Sequence, residues 1–147
     1  MSVNSNSAAR RICKRGDWGV TNLALQKILY LIHMVHLGRT GEPLIQLRFE
    51  AWDYGPVLPS LYHRVKIFGD KPIQDVFLGA SSIAGTPEAA AIDEGCDWLL
   101  IKKPAELVEM THWQNGAWAK NYVPRTRGIP IPSADIIAEY KARIASA

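Results

Sequence analysis

The residues that could do chemistry in this chain are its histidines, its two cysteines, a few carboxylates and an unusual set of aromatics. His33 and His36 stand three apart in an apolar run, so on a helix their imidazoles would share a face and could share a metal ion. A third ligand is missing. No glutamate accompanies them as in an HExxH motif, and His63 and His112 fall on other elements. Cys13 and Cys96 have no metal-ligand spacing and no local nucleophile signature, and a thiol nucleophile needs a histidine base beside it in space. Asp93, Glu94 and Asp97 read as the wet side of a helix rather than an acid/base pair. Gly38–Gly41 and Gly79–Gly85 lack the lysine or the strand-to-helix setting of a phosphate loop. The expectation is a protein that is not an enzyme and holds no metal or cofactor. Were it an enzyme, Tyr30, His33 and His112 would be the polar pocket to test.

The aromatics point elsewhere. Five tryptophans, at positions 18, 52, 98, 113 and 118, are many for 147 residues. Most are expected to fill the core, but tryptophan and tyrosine also dominate protein interfaces, because they bury a large area with a polar handle. The densest stretch runs Ala51-Trp52-Asp53-Tyr54-Gly55-Pro56-Val57-Leu58-Pro59-Ser60-Leu61-Tyr62. Gly55-Pro56 breaks the extended run before it. Pro56 and Pro59 fit the first turn of a following helix, where an amide N–H has no partner to lose, and Leu58, Leu61, Val65 and Phe68 recur at helical spacing. Trp52, Tyr54 and Tyr62 then form a corner that either covers a core or meets a partner.

The elements that must hold this corner are mostly helical. A short helix over 7–15, capped by Ser7, ends at Gly16. Thr21 caps a longer helix through Leu37, which Gly38 closes; it is apolar around so much of its circumference that it should be the central, buried one. Gln26, Tyr30, His33 and Leu37 share one of its faces, bordered by Lys27. Alternation from Gln46 to Asp53 predicts a short strand, and Ile73 to Leu78 is a second extended candidate. Residues 79–86 read as a surface loop. Thr86-Pro87-Glu88 starts a helix through about Ile101, and Pro104 starts another over Ala105 to about Trp113. A loop rich in Gly, Pro and Arg follows, and Ser133 caps a last helix from Ala134 to Ile144, with Ile136, Ile137, Tyr140 and Ile144 facing inward.

Composition agrees with one folded unit. At roughly 150 residues a chain can bury about 70 % of its unfolded surface in a single core, and 48 % hydrophobic with 21 % charged residues is ordinary globular content. The expected fold class is mainly α, a single compact helical domain over 1–147 with a short β component. The polar start carries no signal-peptide core and no run reaches membrane-span length, so a cytoplasmic protein with reduced thiols is expected. Net charge is +3. Its basic residues are scattered in pairs, which is the pattern of solvated faces, so neither nucleic acid nor membrane is expected as a partner. A DNA-binding regulator would use Arg10, Arg11, Lys14 and Arg15.

Leu23-Ala24-Leu25-Gln26-Lys27-Ile28-Leu29-Tyr30, Gly41-Glu42-Pro43-Leu44, the Ala51-to-Tyr62 stretch, and Leu107, Thr111-His112 and Trp118 together resemble the Panacea domain of SocA-like antitoxins. The resemblance runs from about 21 to 118, with helical extensions over 7–15 and 133–145. It implies a mainly helical fold and the neutralising half of a toxin–antitoxin pair: a cognate toxin as partner and, in some relatives, an ATP-dependent protease to which the toxin is delivered. The positions it marks are Gln26, Lys27, Tyr30, Trp52, Tyr54, Gly55, Pro56, Tyr62, His112 and Trp118. One departure stands out. Gln114-Asn115-Gly116-Ala117 precedes Trp118, where the resemblance leads one to expect an acidic residue.

Overall fold

The computed structural model describes residues 2–146. Among them, seven α-helices and one two-stranded sheet surround a single buried cluster. The helices are α1 (Ser5–Arg15), α2 (Asn22–Thr40), α3 (Pro59–Val65), α4 (Pro87–Leu99), α5 (Pro104–Thr111), α6 (Ala117–Asn121) and α7 (Ser133–Ala145), and the strands are β1 (Glu50–Trp52) and β2 (Gly55–Val57). The mainly helical class with a minor β component is what the sequence led one to expect.

α2 is the axis. Thr21 caps it through a hydrogen bond from the Ala24 amide, and thirteen of its residues are buried, Lys27 and His33 among them. Helices α1, α3, α4, α5 and α7 and strand β2 all pack on it. Gly38 does not close the helix as expected; it lies inside, and Gly41 ends it in the left-handed conformation at φ 76°. Gly38 has another task. A Cβ there would sit 2.2 Å from the Tyr140 ring, so its missing side chain lets α7 approach α2 closely. Gly95 does the same for α4, where a Cβ would meet Ile32 at 2.4 Å.

The hairpin differs most from the sequence expectation. β1 starts only at Glu50, and Gly55-Pro56 do not lead into a helix but form the return strand, in register Glu50↔Val57, Ala51↔Pro56 and Trp52↔Gly55. Asp53 and Tyr54 make the turn. Gly55 takes φ 108°, an angle other residues rarely adopt. Only Pro59 occupies a helix start, at the first turn of α3. Gln46 to Phe49 are irregular because Phe49 and Ala51 pair instead with the C-terminal segment: Ile131 N donates to Phe49 O at 2.8 Å and Ala51 N to Ile129 O at 3.0 Å.

Other boundaries shift for local reasons. Asn4, not Ser7, caps α1, and Ser7 is buried within it. Ile73 to Leu78 form no strand; Ile73 donates to the Val20 carbonyl, and its side chain and that of Phe77 are buried as anchors. α4 stops at Leu99 and α5 at Thr111. The Gly/Pro/Arg loop contains α6, which was not expected. Pro132 takes the cap position of α7, and Ile144 is exposed while Glu139 is buried, because α7 meets α2 and α6 along a face that includes Glu139.

Candidate functional site

The ten candidate residues fall into one connected assembly around the hairpin and one outlier. Lys27 projects from α2 with only 1 % of its surface exposed, and its Nζ donates to the Tyr54 carbonyl at the hairpin turn. Burial lowers its pKa to about 8. Gln26, one residue earlier, accepts from Leu58 N at 2.9 Å and donates to Asn22 at 3.1 Å, fixing the exit of β2. Gly55 is where these groups converge: a Cβ there would lie 2.8 Å from Lys27 Nζ and 3.1 Å from His112 Nε2. Pro56, beside it, is buried in β2.

The other side of the hairpin is held by stacked rings. His112, just past α5, stacks on Trp118 of α6 with centroids 4.2 Å apart, and Trp118 stacks on Tyr122 at 4.5 Å. Trp118 Nε1 donates to the Trp52 carbonyl at 2.7 Å, and Tyr122 OH donates to Asp53 at 2.7 Å. His112 Nε2 is buried and makes no well-formed hydrogen bond. Burial and the neighbouring Lys27 charge lower its pKa, while a weak hydrogen bond to the Tyr54 backbone opposes the fall.

Trp52 is not an exposed corner. Only 3 % of it reaches solvent; Tyr62 packs edge-on at 4.9 Å, the Arg127 guanidinium lies 4.1 Å over its ring, and its Nε1 donates to Glu50 at 2.8 Å. Tyr54 is the exposed member, at 63 %. The clasp therefore holds up a single projecting ring.

Tyr30 belongs to a different assembly and not to the hairpin clasp. Its hydroxyl donates to Glu139 on α7 at 2.7 Å, and burial followed by the Glu139 carboxylate raises its pKa. Glu139 also accepts from Ala117 N at 2.9 Å and pairs with Arg143 at 2.7 Å. A carboxylate from α7 thus meets the backbone just before Trp118. His33 is equally remote from the clasp, accepting from Ile45 N at 3.4 Å, with its pKa lowered to about 4 by burial. Tyr30, His33 and His112 thus direct their polar atoms at separate surroundings and form no common polar pocket. Among the described residues, no group of three or more His, Cys, Asp or Glu side chains could hold a metal ion. Burial raises Cys13 to about 12 and Cys96 to about 11, which disfavours the thiolate that nucleophilic chemistry needs.

Two open grooves of about 530 Å³ each flank α2. One adjoins the clasp and is lined by Leu23, Lys27, Tyr54, Tyr62, Lys66 and Pro104, among others. The second lies between α2, α4 and α7, where Ile32, Val35, Trp98 and Ile144 line it. On α1, Arg10 pairs with Asp75 at 3.0 Å, Arg11 with Asp93 at 2.7 Å and Arg15 with Asp97 at 2.7 Å, so these cations are engaged within the fold. No helix among the described residues is long and apolar enough to cross a membrane.

With this geometry in place, comparison with known proteins is informative. The family model for the SocA-like antitoxin, Panacea domain, matches residues 25–119. The chain belongs to the SocA-like antitoxin family. Antitoxin SocA of Caulobacter vibrioides (strain NA1000 / CB15N) is 32% identical over 130 residues, which cover 80% of this chain and 69% of that protein. No solved structure gives a significant match. The Panacea match encloses all ten candidate residues, from Gln26 to Trp118. It leaves outside the residues that sequence reasoning missed: Arg127 over Trp52, Tyr122 on Asp53, and Glu139 with Arg143. Asp53 lay inside the motif, and its hydrogen bonds from Tyr122 and from Arg125 N hold its pKa low. Nothing local in the sequence marks Arg127, whose ring partner is 75 residues away, and the local Glu139–Arg143 pair gives no sign of Tyr30, 109 residues away.

Proposed function

We propose that this antitoxin-family protein neutralises a cognate protein toxin in the cytoplasm by direct contact, through the rim of the hairpin clasp. The observation that carries the reading is Tyr54: a large aromatic, 63 % exposed, on a turn fixed from both sides by Lys27 and by the Asp53–Tyr122 hydrogen bond. An exposed aromatic on a fixed turn loses little conformational entropy on binding, which is the character of an interface anchor. The family fold supplies the partner class, since an antitoxin implies a toxin. The surface is preformed.

The experiment is co-expression with the product of the adjacent open reading frame. Growth arrest by that product alone, relieved by this chain and restored by Tyr54→Ala, is the expected result. A product that is harmless alone, or that stays toxic in the presence of this chain, overturns the reading. Delivery to an ATP-dependent protease is the finer form of the same proposal. It predicts faster loss of the toxin when this chain is added to purified protease and ATP; an unchanged rate leaves sequestration as the mechanism.

A further inference from the structure

The groove beside the clasp carries an electrostatic imbalance that its twin lacks. Leu23, Val57, Tyr54, Tyr62 and Pro104 give it apolar walls, and Leu23 and Tyr54 are 41% and 63% exposed. Lys27 lies at its inner edge, almost wholly buried, and its ammonium, which has three donor hydrogens, donates to the Tyr54 carbonyl. Lys66 stands on the rim with His63 Nδ1 at 3.2 Å. Among the described residues the ammonium of Lys27 meets a carbonyl and that of Lys66 an imidazole, neither of them a carboxylate, and the groove's single lining carboxylate is Asp70. In the other groove Arg39 pairs with Glu94 at 2.9 Å, and burial holds the His36 imidazole toward its neutral form, so its lining cation is already matched.

Lys27 is buried without an opposite charge and Lys66 is exposed above it, so a carboxylate entering at the rim pairs with Lys66 and is also drawn by the charge that burial leaves uncompensated. Apolar walls on either side favour a neighbouring apolar side chain on the same ligand. The space suits a side chain or two rather than a whole helix, and lies within the usual range of about 300–1,000 Å³ for ligand pockets.

We propose that this groove receives a segment of the toxin in which an aspartate or glutamate side chain pairs with Lys66 on the rim, over the unmatched charge of buried Lys27, while an adjacent apolar side chain packs between Leu23 and Tyr54. This rests on the toxin-binding reading above and names the chemistry of its contact. Recognition is then by charge at the rim and shape at the walls.

The test uses the full chain and the toxin identified by co-expression. A photo-crosslinking residue placed at Leu23, or in a control at Trp98, is irradiated in the complex and the labelled toxin peptide is sequenced. Labelling from position 23 of a segment containing Asp or Glu is expected. Labelling only from position 98, or of a segment with neither acid, overturns the proposal. Lys66→Glu, on the exposed rim and confirmed folded by its melting curve, should weaken toxin binding about tenfold, and changing the crosslinked acid to Lys in the toxin should restore it. Equal binding by Lys66→Glu, or no restoration, also overturns it. Each overturning result is obtained with a toxin that does bind, so it leaves the antitoxin reading standing; a toxin that does not bind at all defeats that reading instead.

Discussion

The two grooves along α2 enclose the same volume, about 530 Å³, and are built from opposite materials. At the N-terminal end of the helix, polar side chains reach across to fix a hairpin, and a lysine charge is left unmatched. Toward the C-terminal end, contact is by close backbone approach and matched charges: Gly38 against Tyr140, Gly95 against Ile32, Arg39 with Glu94. Between them stands the Tyr30–Glu139–Arg143 assembly, which closes the helical scaffold. The difference separates two tasks. Packing without unmatched charge stabilises the fold, whereas unmatched charge beside an exposed aromatic is useful only when something binds.

The sharpest way to break this division is at Glu139. Removing a buried carboxylate that serves Tyr30, Ala117 N and Arg143 leaves two donors and a cation without that partner. Glu139→Ala should therefore lower unfolding free energy by about 3–5 kcal/mol, measured by denaturant titration. Toxin affinity should be unchanged at temperatures where the variant is folded; lost affinity in a folded variant would mean that the scaffold and the binding end are not separate.

The Lys27 ammonium offers a test by pH. Its pKa is about 8 in the fold against 10.5 for the free side chain, so between those values the unfolded chain holds more protons and stability rises with pH. Relative to Lys27→Met, the wild type should gain up to about 3 kcal/mol from pH 8 to 10.5, with His112, Tyr62, Lys66 and Asp70 present in both. Taking the difference cancels Cys13 and Cys96, whose raised thiol pKa values act in the opposite direction. A flat difference would show that Lys27 is hydrated and that the groove floor carries no buried charge.

Gly55→Ala comes next. The new Cβ would enter a left-handed backbone position and crowd both Lys27 Nζ and His112 Nε2. A loss of about 2 kcal/mol is expected, with toxin binding weakened further, since the turn that carries Tyr54 must shift. Unaltered stability would show that the clasp is more pliable than its hydrogen bonds imply. The smallest effect belongs to Trp98→Ser in the opposite groove: the ring is 41% exposed, so stability should change by less than about 1 kcal/mol. Neutralisation should be unaffected. Loss of neutralisation there would reverse the assignment of the two grooves.

Much of the clasp was legible because its signals are local. The Gln26-Lys27 pair and the aromatic hairpin stand in short motifs, and Thr21 and Thr86 cap helices that follow them directly. Where reading failed, non-local pairing had overridden a local preference. Pro56 reads as a helix start but sits in β2, because Lys27 and Gln26 hold the chain on each side of it. Gly38 reads as a helix end but is a packing notch for Tyr140. Trp52 could either cover the core or meet a partner on the sequence alone, and it is buried because Arg127 and Tyr62 close over it.

By itself the sequence determined the helical class, the buried axis at α2, the family and the ten positions worth testing, since these follow from hydrophobic period, cap chemistry and short motifs. Only the tertiary structure decided that Tyr30 answers to Glu139 while Lys27 answers to Tyr54, and which of the aromatic rings remains in water. The physical reason is that a side chain's charge, burial and partner depend on what the fold brings to it from distant parts of the chain. Four residues along α2, Gln26, Lys27, Tyr30 and His33, share a helix but meet four different surroundings.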